Sequence, residues 1–214
     1  MGKRAFIYAA GDFSYEDISL YYRIKLNDDD MIICADGGYN LATEVGVTPD
    51  VVIGDMDSVS GTIPESVKTY RYPCKKDKTD LHICVDFALQ NGCDEIILLG
   101  ALGSRLSHTL GAIMILEYIH NNGATGVIFT YNTKIMLVSD TAIIKKDNYD
   151  CLSIIPLTCV AEGVTSTGLK YPLNDHDLIR QDNLGISNEF ENDVATISVK
   201  KGLLVVILEN LLGF

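Results

Sequence analysis

The apolar residues of this chain come in short runs that stop at glycine or aspartate. Ala5-Phe6-Ile7-Tyr8-Ala9-Ala10 runs into Gly11-Asp12, Met31-Ile32-Ile33-Cys34-Ala35 into Asp36-Gly37-Gly38, Val51-Val52-Ile53 into Gly54-Asp55, and Ile96-Ile97-Leu98-Leu99 into Gly100. Continuous runs of this length predict strands buried on both faces. Further strands are predicted at residues 67–72, where Pro73 ends the run, and at 127–130. Helices are predicted over about 15–26, over 41–46 with Gly46 and then Pro49 closing it, and from about residue 102 to Asn121. Another starts at Thr79 or Asp80, where Leu81, Cys84 or Val85, and Ala88 recur at helical spacing. Strands alternating with helices predict a doubly wound, mostly parallel α/β domain, whose ligands bind beyond the carboxyl ends of the strands.

The pattern changes after Asn132. No good helical period appears, and short β-rich runs recur at 135–138, 142–144, 152–155, 194–199 and 203–208, separated by Asn148, Gly163, Gly168, Gly202 and the Asn174-Asp175 turn. This predicts an antiparallel β-sandwich. The expected organisation is therefore an α/β domain over residues 1–132 and a β-sandwich over 133–214.

Composition narrows the partners. With 214 residues and a formal net charge of −12, the composition argues against nucleic acid or an anionic membrane as partner, for which a basic face is expected. No apolar run approaches the ~20 residues that span a bilayer. The first apolar segment ends at Asp12, too early for a signal peptide, so a cytoplasmic location is expected. Six cysteines without a C-x-x-C pair are expected to be free, buried and reduced, and His82, His108, His120 and His176 lack metal-ligand spacing.

The chemistry is expected at the strand ends. Asp55 and Asp57, at i and i+2, lie on one side of an extended backbone, where like charges repel unless a cation joins them. Mg2+ is bound through one or two carboxylates plus phosphate oxygens. The alternative is a strand followed by an Asx turn. Lys75, Lys76 and Lys78 on one loop add positive charge, and the glycines allow a phosphate to approach backbone N–H groups. Neither a Walker A loop nor G-x-G-x-x-G is present. The set suits phosphoryl transfer from a metal-bound nucleotide, where positioning and charge neutralisation supply most of the catalysis.

Six segments in order resemble the motifs of the thiamine pyrophosphokinase family: Ala35-Asp36-Gly37-Gly38-Tyr39-Asn40, Gly54-Asp55-Met56-Asp57-Ser58, Lys76-Asp77-Lys78-Thr79-Asp80, residues 100–108, Thr167-Gly168-Leu169-Lys170-Tyr171-Pro172-Leu173 and Ser187-Asn188-Glu189-Phe190. The resemblance implies transfer of the terminal diphosphate of ATP to the hydroxyl of thiamine, giving thiamine diphosphate and AMP. It also implies a homodimer with thiamine bound between the α/β domain of one subunit and the sandwich of the other. Asp55, Asp57 and Asp80 are then expected on Mg2+. Asp36, Gly37, Gly38, Asn40, Lys76, Asp77, Thr79, Gly100, Arg105 and His108 are expected on the nucleotide, and Ser187 and Asn188 on the thiamine pyrimidine. Asp77 or Asp80 is the expected acceptor of the hydroxyl proton, and Lys76 or Arg105 supplies charge from the side.

Two positions depart from the family pattern. Ser107 stands where many members carry Asp, and a hydroxyl cannot carry that charge. Tyr171 stands where some carry Trp. A metal-dependent phosphohydrolase would use the same carboxylates but has no use for Ser187 and Asn188. A non-catalytic thiamine or nucleotide binder gains little from crowded acids that need a metal.

Overall fold

The computed structural model describes residues 2–211, and the chain divides into two compact units, residues 1–131 and 132–214. The first unit carries six strands: β1 (Arg4–Tyr8), β2 (Met31–Ala35), β3 (Val51–Gly54), β4 (Lys68–Arg71), β5 (Glu95–Leu99) and β6 (Thr125–Phe129). They lie in the order β6-β5-β1-β2-β3-β4, and every pairing is parallel. Chain order therefore reverses between β1 and β5, which places a ligand crevice outside their carboxyl ends.

Both faces of this sheet are buried, which is why its strands read as continuous apolar runs. On one face Phe6 and Tyr8 of β1, Ile32 and Cys34 of β2, and Ile97 and Leu99 of β5 pack with Tyr21 of α1 (Tyr15–Tyr21) and Leu41 of α2 (Gly38–Glu44). The alternate residues Ala5, Ile7, Ile33, Ile96 and Leu98 are equally buried. Helix α3 (Asp80–Gln90) contacts β1, β2 and β3, and α4 (Leu106–Asn121) contacts β6.

The first helix is shorter than its sequence pattern. It ends at Tyr21, because Ile24 and Leu26 turn back to pack on the cluster instead of continuing the helical face. The second starts earlier than expected, at Gly38, whose Cβ would stand 2.0 Å from the Tyr8 carbonyl oxygen. Only glycine lets α2 approach β1 so closely. Strand β4 is a fully exposed edge.

The second unit is antiparallel. One sheet runs β12 (Asn188–Glu189), β9 (Cys151–Pro156), β14 (Leu204–Glu209) and β7 (Thr133–Val138). The other runs β11 (His176–Ile179), β10 (Val160–Thr167), β13 (Val194–Ser198) and β8 (Thr141–Lys145). Leu152, Ile154, Val206 and Leu208 of the first sheet are buried, as are Ala161, Val164, Ala195 and Ile197 of the second. The fold is thus the expected parallel α/β unit followed by antiparallel sheets. Strands β10, β11 and β12 escaped the sequence reading. In β10 the register shifts between Ala161 and Val164, around Gly163 at φ 65°, and this bulge breaks the alternation that marks a strand.

All six cysteines are free, but Cys74 and Cys159 are exposed rather than buried. Each lies in a loop, outside the apolar strand cores.

Candidate functional site

The strand ends β2 and β3 create the acidic centre. After β2 the backbone of Asp36 takes φ 46°, and its N–H donates to the Ile53 carbonyl at 2.8 Å. The residue is 9% exposed, and Asp36 Oδ1 is buried with no hydrogen-bond partner among the described residues. An unpaired buried carboxylate oxygen is costly unless a cation or donor meets it.

After β3 the carboxylates of Asp55 and Asp57 converge, although not along an extended strand. Met56 between them has φ 68°, and the Asp57 N–H donates to Asp55 Oδ1 at 3.2 Å in an Asx turn. The Met56 side chain packs on the apolar cluster, which anchors the turn. The Ser58 hydroxyl donates to Asp57 Oδ1 at 2.8 Å. Asn40 holds the next segment: its Nδ2 donates to the Ser58 carbonyl at 2.9 Å and its Oδ1 accepts the Ser60 N–H at 2.8 Å.

Cys74 completes the group. Its Sγ and one oxygen each of Asp55 and Asp57 lie within 4.8 Å of one another. The neighbouring thiol and the Asp57 N–H hold the Asp55 carboxyl below its ordinary range, and the same closeness to Asp55 raises the Cys74 thiol. Two carboxylate oxygens suit a hard, oxygen-binding cation; a protonated thiol is a hydrogen-bond donor and not a ligand for such an ion.

Lys76 supplies the opposing charge. Its ammonium donates to Asp80 at 2.6 Å. Burial alone would depress its pKa, but the hydrogen bond to Asp80 and the charges of Asp80, Asp55 and Asp36 raise it. Asp80 is therefore held by Lys76 and stands outside the Asp55–Asp57–Cys74 group. Thr79 caps α3, its hydroxyl accepting the His82 N–H at 3.3 Å. Asp77 is exposed and, among the described residues, forms no ion pair.

The second set of nucleotide candidates sits at the crevice between β1 and β5. Gly100 has φ 61°, and Arg105, Ser107 and His108 at the start of α4 are exposed. Gly37, Gly38 and Gly54 are tightly packed: Gly37 stands against Ser58 and Ala10, Gly38 against Tyr8 and Gly54 against Asp36. Their local role is close packing of the strand ends.

In the second unit Asn188 is 7% exposed, and both polar atoms of its amide are bonded. Oδ1 accepts the N–H groups of Tyr171 at 3.1 Å and Glu189 at 2.9 Å, and Nδ2 donates to the Tyr171 carbonyl at 2.7 Å. Ser187, at φ 58°, is exposed beside it and donates its N–H to Ser153 Oγ at 3.1 Å. The Lys170 ammonium lies 5.6 Å from the Tyr171 ring centroid and binds Glu189 at 2.9 Å.

Sequence reasoning missed Cys74, whose only local signal is its place between Pro73 and the lysine-rich motif. It also gave no role to Asp12, the carboxylate ending the first apolar run.

Residues 22–128 match the thiamin pyrophosphokinase catalytic domain, and residues 141–204 match the thiamin pyrophosphokinase vitamin B1 binding domain. The chain is 32% identical over 182 residues to thiamine pyrophosphokinase of Bacillus subtilis (strain 168), covering 82% of this chain and 85% of that protein. Its fold is similar to a crystal structure of the Bacillus subtilis thiamine pyrophosphokinase, with TM-score 0.85, 26% identity and coverage of 97% and 98%. The thiamin pyrophosphokinase of Geobacillus thermodenitrificans is similar at TM-score 0.80, 26% identity and 97% coverage of each chain.

Proposed function

The chain belongs to the thiamin pyrophosphokinase family, and from that premise we propose that it transfers the terminal diphosphate of ATP to the hydroxyl of thiamine. The hydroxyl oxygen forms a bond to the β-phosphorus, the bond from that phosphorus to the α-phosphate oxygen breaks, and AMP leaves. The observation that carries the reading is the convergence of Asp55 and Asp57 at the end of β3, with Lys76 close enough to feel the charge of Asp55.

Asp55 and Asp57 would hold Mg2+, with Asp36 and Asp80 as neighbouring oxygen donors; the bound ion would neutralise charge on the phosphate oxygens. Lys76 sits among these carboxylates with its charge secured, so it meets phosphate oxygens as a full cation. Arg105, at the start of α4, adds charge from the other side of the nucleotide. The exposed carboxylate of Asp77 accepts the hydroxyl proton, and a loose transition state asks little of it.

Residues 1–132 serve as the nucleotide domain and 133–214 as the thiamine domain. In the second, Asn188 fixes the Tyr171 loop, and Ser187 is presented to the pyrimidine. Exposed Tyr171, Leu184 and Ile186 around Ser187 support a homodimer in which a partner subunit covers this face. Use of ATP and six free cysteines support a cytoplasmic location.

Phosphorus NMR of the protein with ATP, thiamine and Mg2+ tests the reaction. Equimolar AMP and thiamine diphosphate are expected. ADP or free phosphate as the main product would refute diphosphoryl transfer.

A further inference from the structure

We infer that Asp12 and Tyr21 are positioning residues that set nucleotide affinity by fixing the loop of residues 100–105, an inference that rests on the nucleotide reading above. The loop crosses the crevice where chain order reverses, and it delivers Arg105 and the first turn of α4 to the surface. Its two ends are held by side chains from the segment after β1.

At its start, the Gly100 N–H donates to the Tyr21 hydroxyl at 3.4 Å, and that hydroxyl donates to the Phe129 carbonyl at 2.8 Å. Tyr21 is 1% exposed, so it acts only through what it touches. The Gly11 N–H donates to the Gly100 carbonyl at 2.7 Å and fixes the other side of the same residue. At the far end, the Asp12 carboxylate accepts the Ser104 N–H at 2.5 Å. Ser104 thereby holds the Asp12 carboxyl below its ordinary range. A Cβ on Gly103 would stand 2.7 Å from the Asp12 nitrogen, so the two loops touch backbone to backbone. Thr109 of α4 closes the turn: its hydroxyl accepts the Gly103 N–H at 3.1 Å and donates to the Gly103 carbonyl at 3.0 Å.

Asp12 is an anion beside a site for a polyanion, so direct contact with phosphate would weaken binding. Its contribution comes from the loop it holds. A charge-assisted bond to a backbone N–H pre-organises that loop, and the ordering is then not charged against ligand binding. The opposite role, a carboxylate occupying the anion position and competing with phosphate, predicts the opposite sign.

The test compares wild type with Asp12→Ala, Asp12→Asn and Tyr21→Phe by steady-state kinetics, direct binding of a non-hydrolysable ATP analogue, and thermal melting. In Asp12→Ala, KM for ATP and Kd for the analogue are expected to rise about tenfold, one lost charge-assisted bond. KM for thiamine and kcat are expected to stay within about twofold. Asp12→Asn, which still accepts the Ser104 N–H, restores most of the loss, and Tyr21→Phe raises the same two constants. Unchanged or tighter nucleotide binding in Asp12→Ala overturns the inference. So does a parallel loss for both substrates with a lowered Tm, which is the mark of a structural role alone. If wild type forms no AMP and thiamine diphosphate, the functional reading fails by itself, while analogue binding still decides the role of the loop.

Discussion

The space above Gly54 is filled by the side chain of Asp36: a Cβ at residue 54 would stand 2.7 Å from Asp36 Cβ and 3.0 Å from its Cα. The last residue of β3 is thus the floor on which the buried Asp36, just past β2, rests. Gly54→Ala is expected to destabilise the first unit by about 1–3 kcal/mol through overpacking. It should also displace Asp36, weakening Mg2+ dependence more than thiamine binding. Urea unfolding and Mg2+ titration of activity check this; wild-type values in both would show that the contact relaxes freely.

Cys74 should be a slow nucleophile despite its exposure, because the neighbouring carboxylates of Asp55 and Asp57 raise its pKa. Alkylation by iodoacetamide at pH 7.5, followed by peptide mass spectrometry, is expected to run below the rate of the unfolded chain. Asp55→Asn should speed it roughly threefold to tenfold, since the thiolate fraction governs the rate. Equal rates before and after the substitution would remove the Asp55 contact from the account.

Acid stability depends in part on Arg4 and Asp30. Arg4 Nε binds Asp30 Oδ1 at 2.8 Å, and the Asn27 N–H binds Oδ2 at 2.7 Å; the Asp30 side chain is 4% exposed. Burial pushes the Asp30 carboxyl up, but the bonds from Arg4 and Asn27 outweigh it and hold it below the ordinary range. A depressed carboxyl stabilises fully above its unfolded pKa, about 3.9, and the gain is lost as pH falls through the folded value. Asp30→Asn is expected to cost about 1–2 kcal/mol at pH 7. That deficit should shrink as wild type is acidified below the unfolded value. A deficit constant from pH 7 to pH 2 would contradict the ionic origin.

Asn188 and Ser187 should separate by stability. Asn188→Ala removes three hydrogen bonds from a buried amide and leaves the Tyr171 loop unheld, a loss of about 2–3 kcal/mol. Ser187→Gly relieves a left-handed backbone and is expected to be neutral or slightly stabilising. It should still raise KM for thiamine. Thermal melts of both variants decide; a large loss of stability in Ser187→Gly would place that residue in the framework.

These residues also show what a sequence can reveal. Buried parallel strands must be apolar and their ends polar, so the strand ends and the acids upon them were legible. The meeting of Asp55 and Asp57 was legible for the wrong reason, since it comes from a turn at Met56 and not from strand alternation. Cys74 reaches Asp55 only because β4 pairs with β3, and Asp12 and Ser104 meet across 92 positions of sequence. Such pairings are set by sheet order, which no local pattern encodes. Asn188 was assigned to the pyrimidine through the family motif, and its bonds to the Tyr171 loop, made 17 positions away, had no local signal.

The most direct test of the central claim is the yield of AMP and thiamine diphosphate from ATP, thiamine and Mg2+, wild type against Asp57→Ala. Equimolar products from wild type, falling about a hundredfold or more in the variant with its fold intact by circular dichroism, are the predicted result. Undiminished turnover in Asp57→Ala, or ADP in place of AMP from wild type, would contradict diphosphoryl transfer at the acidic end of β3.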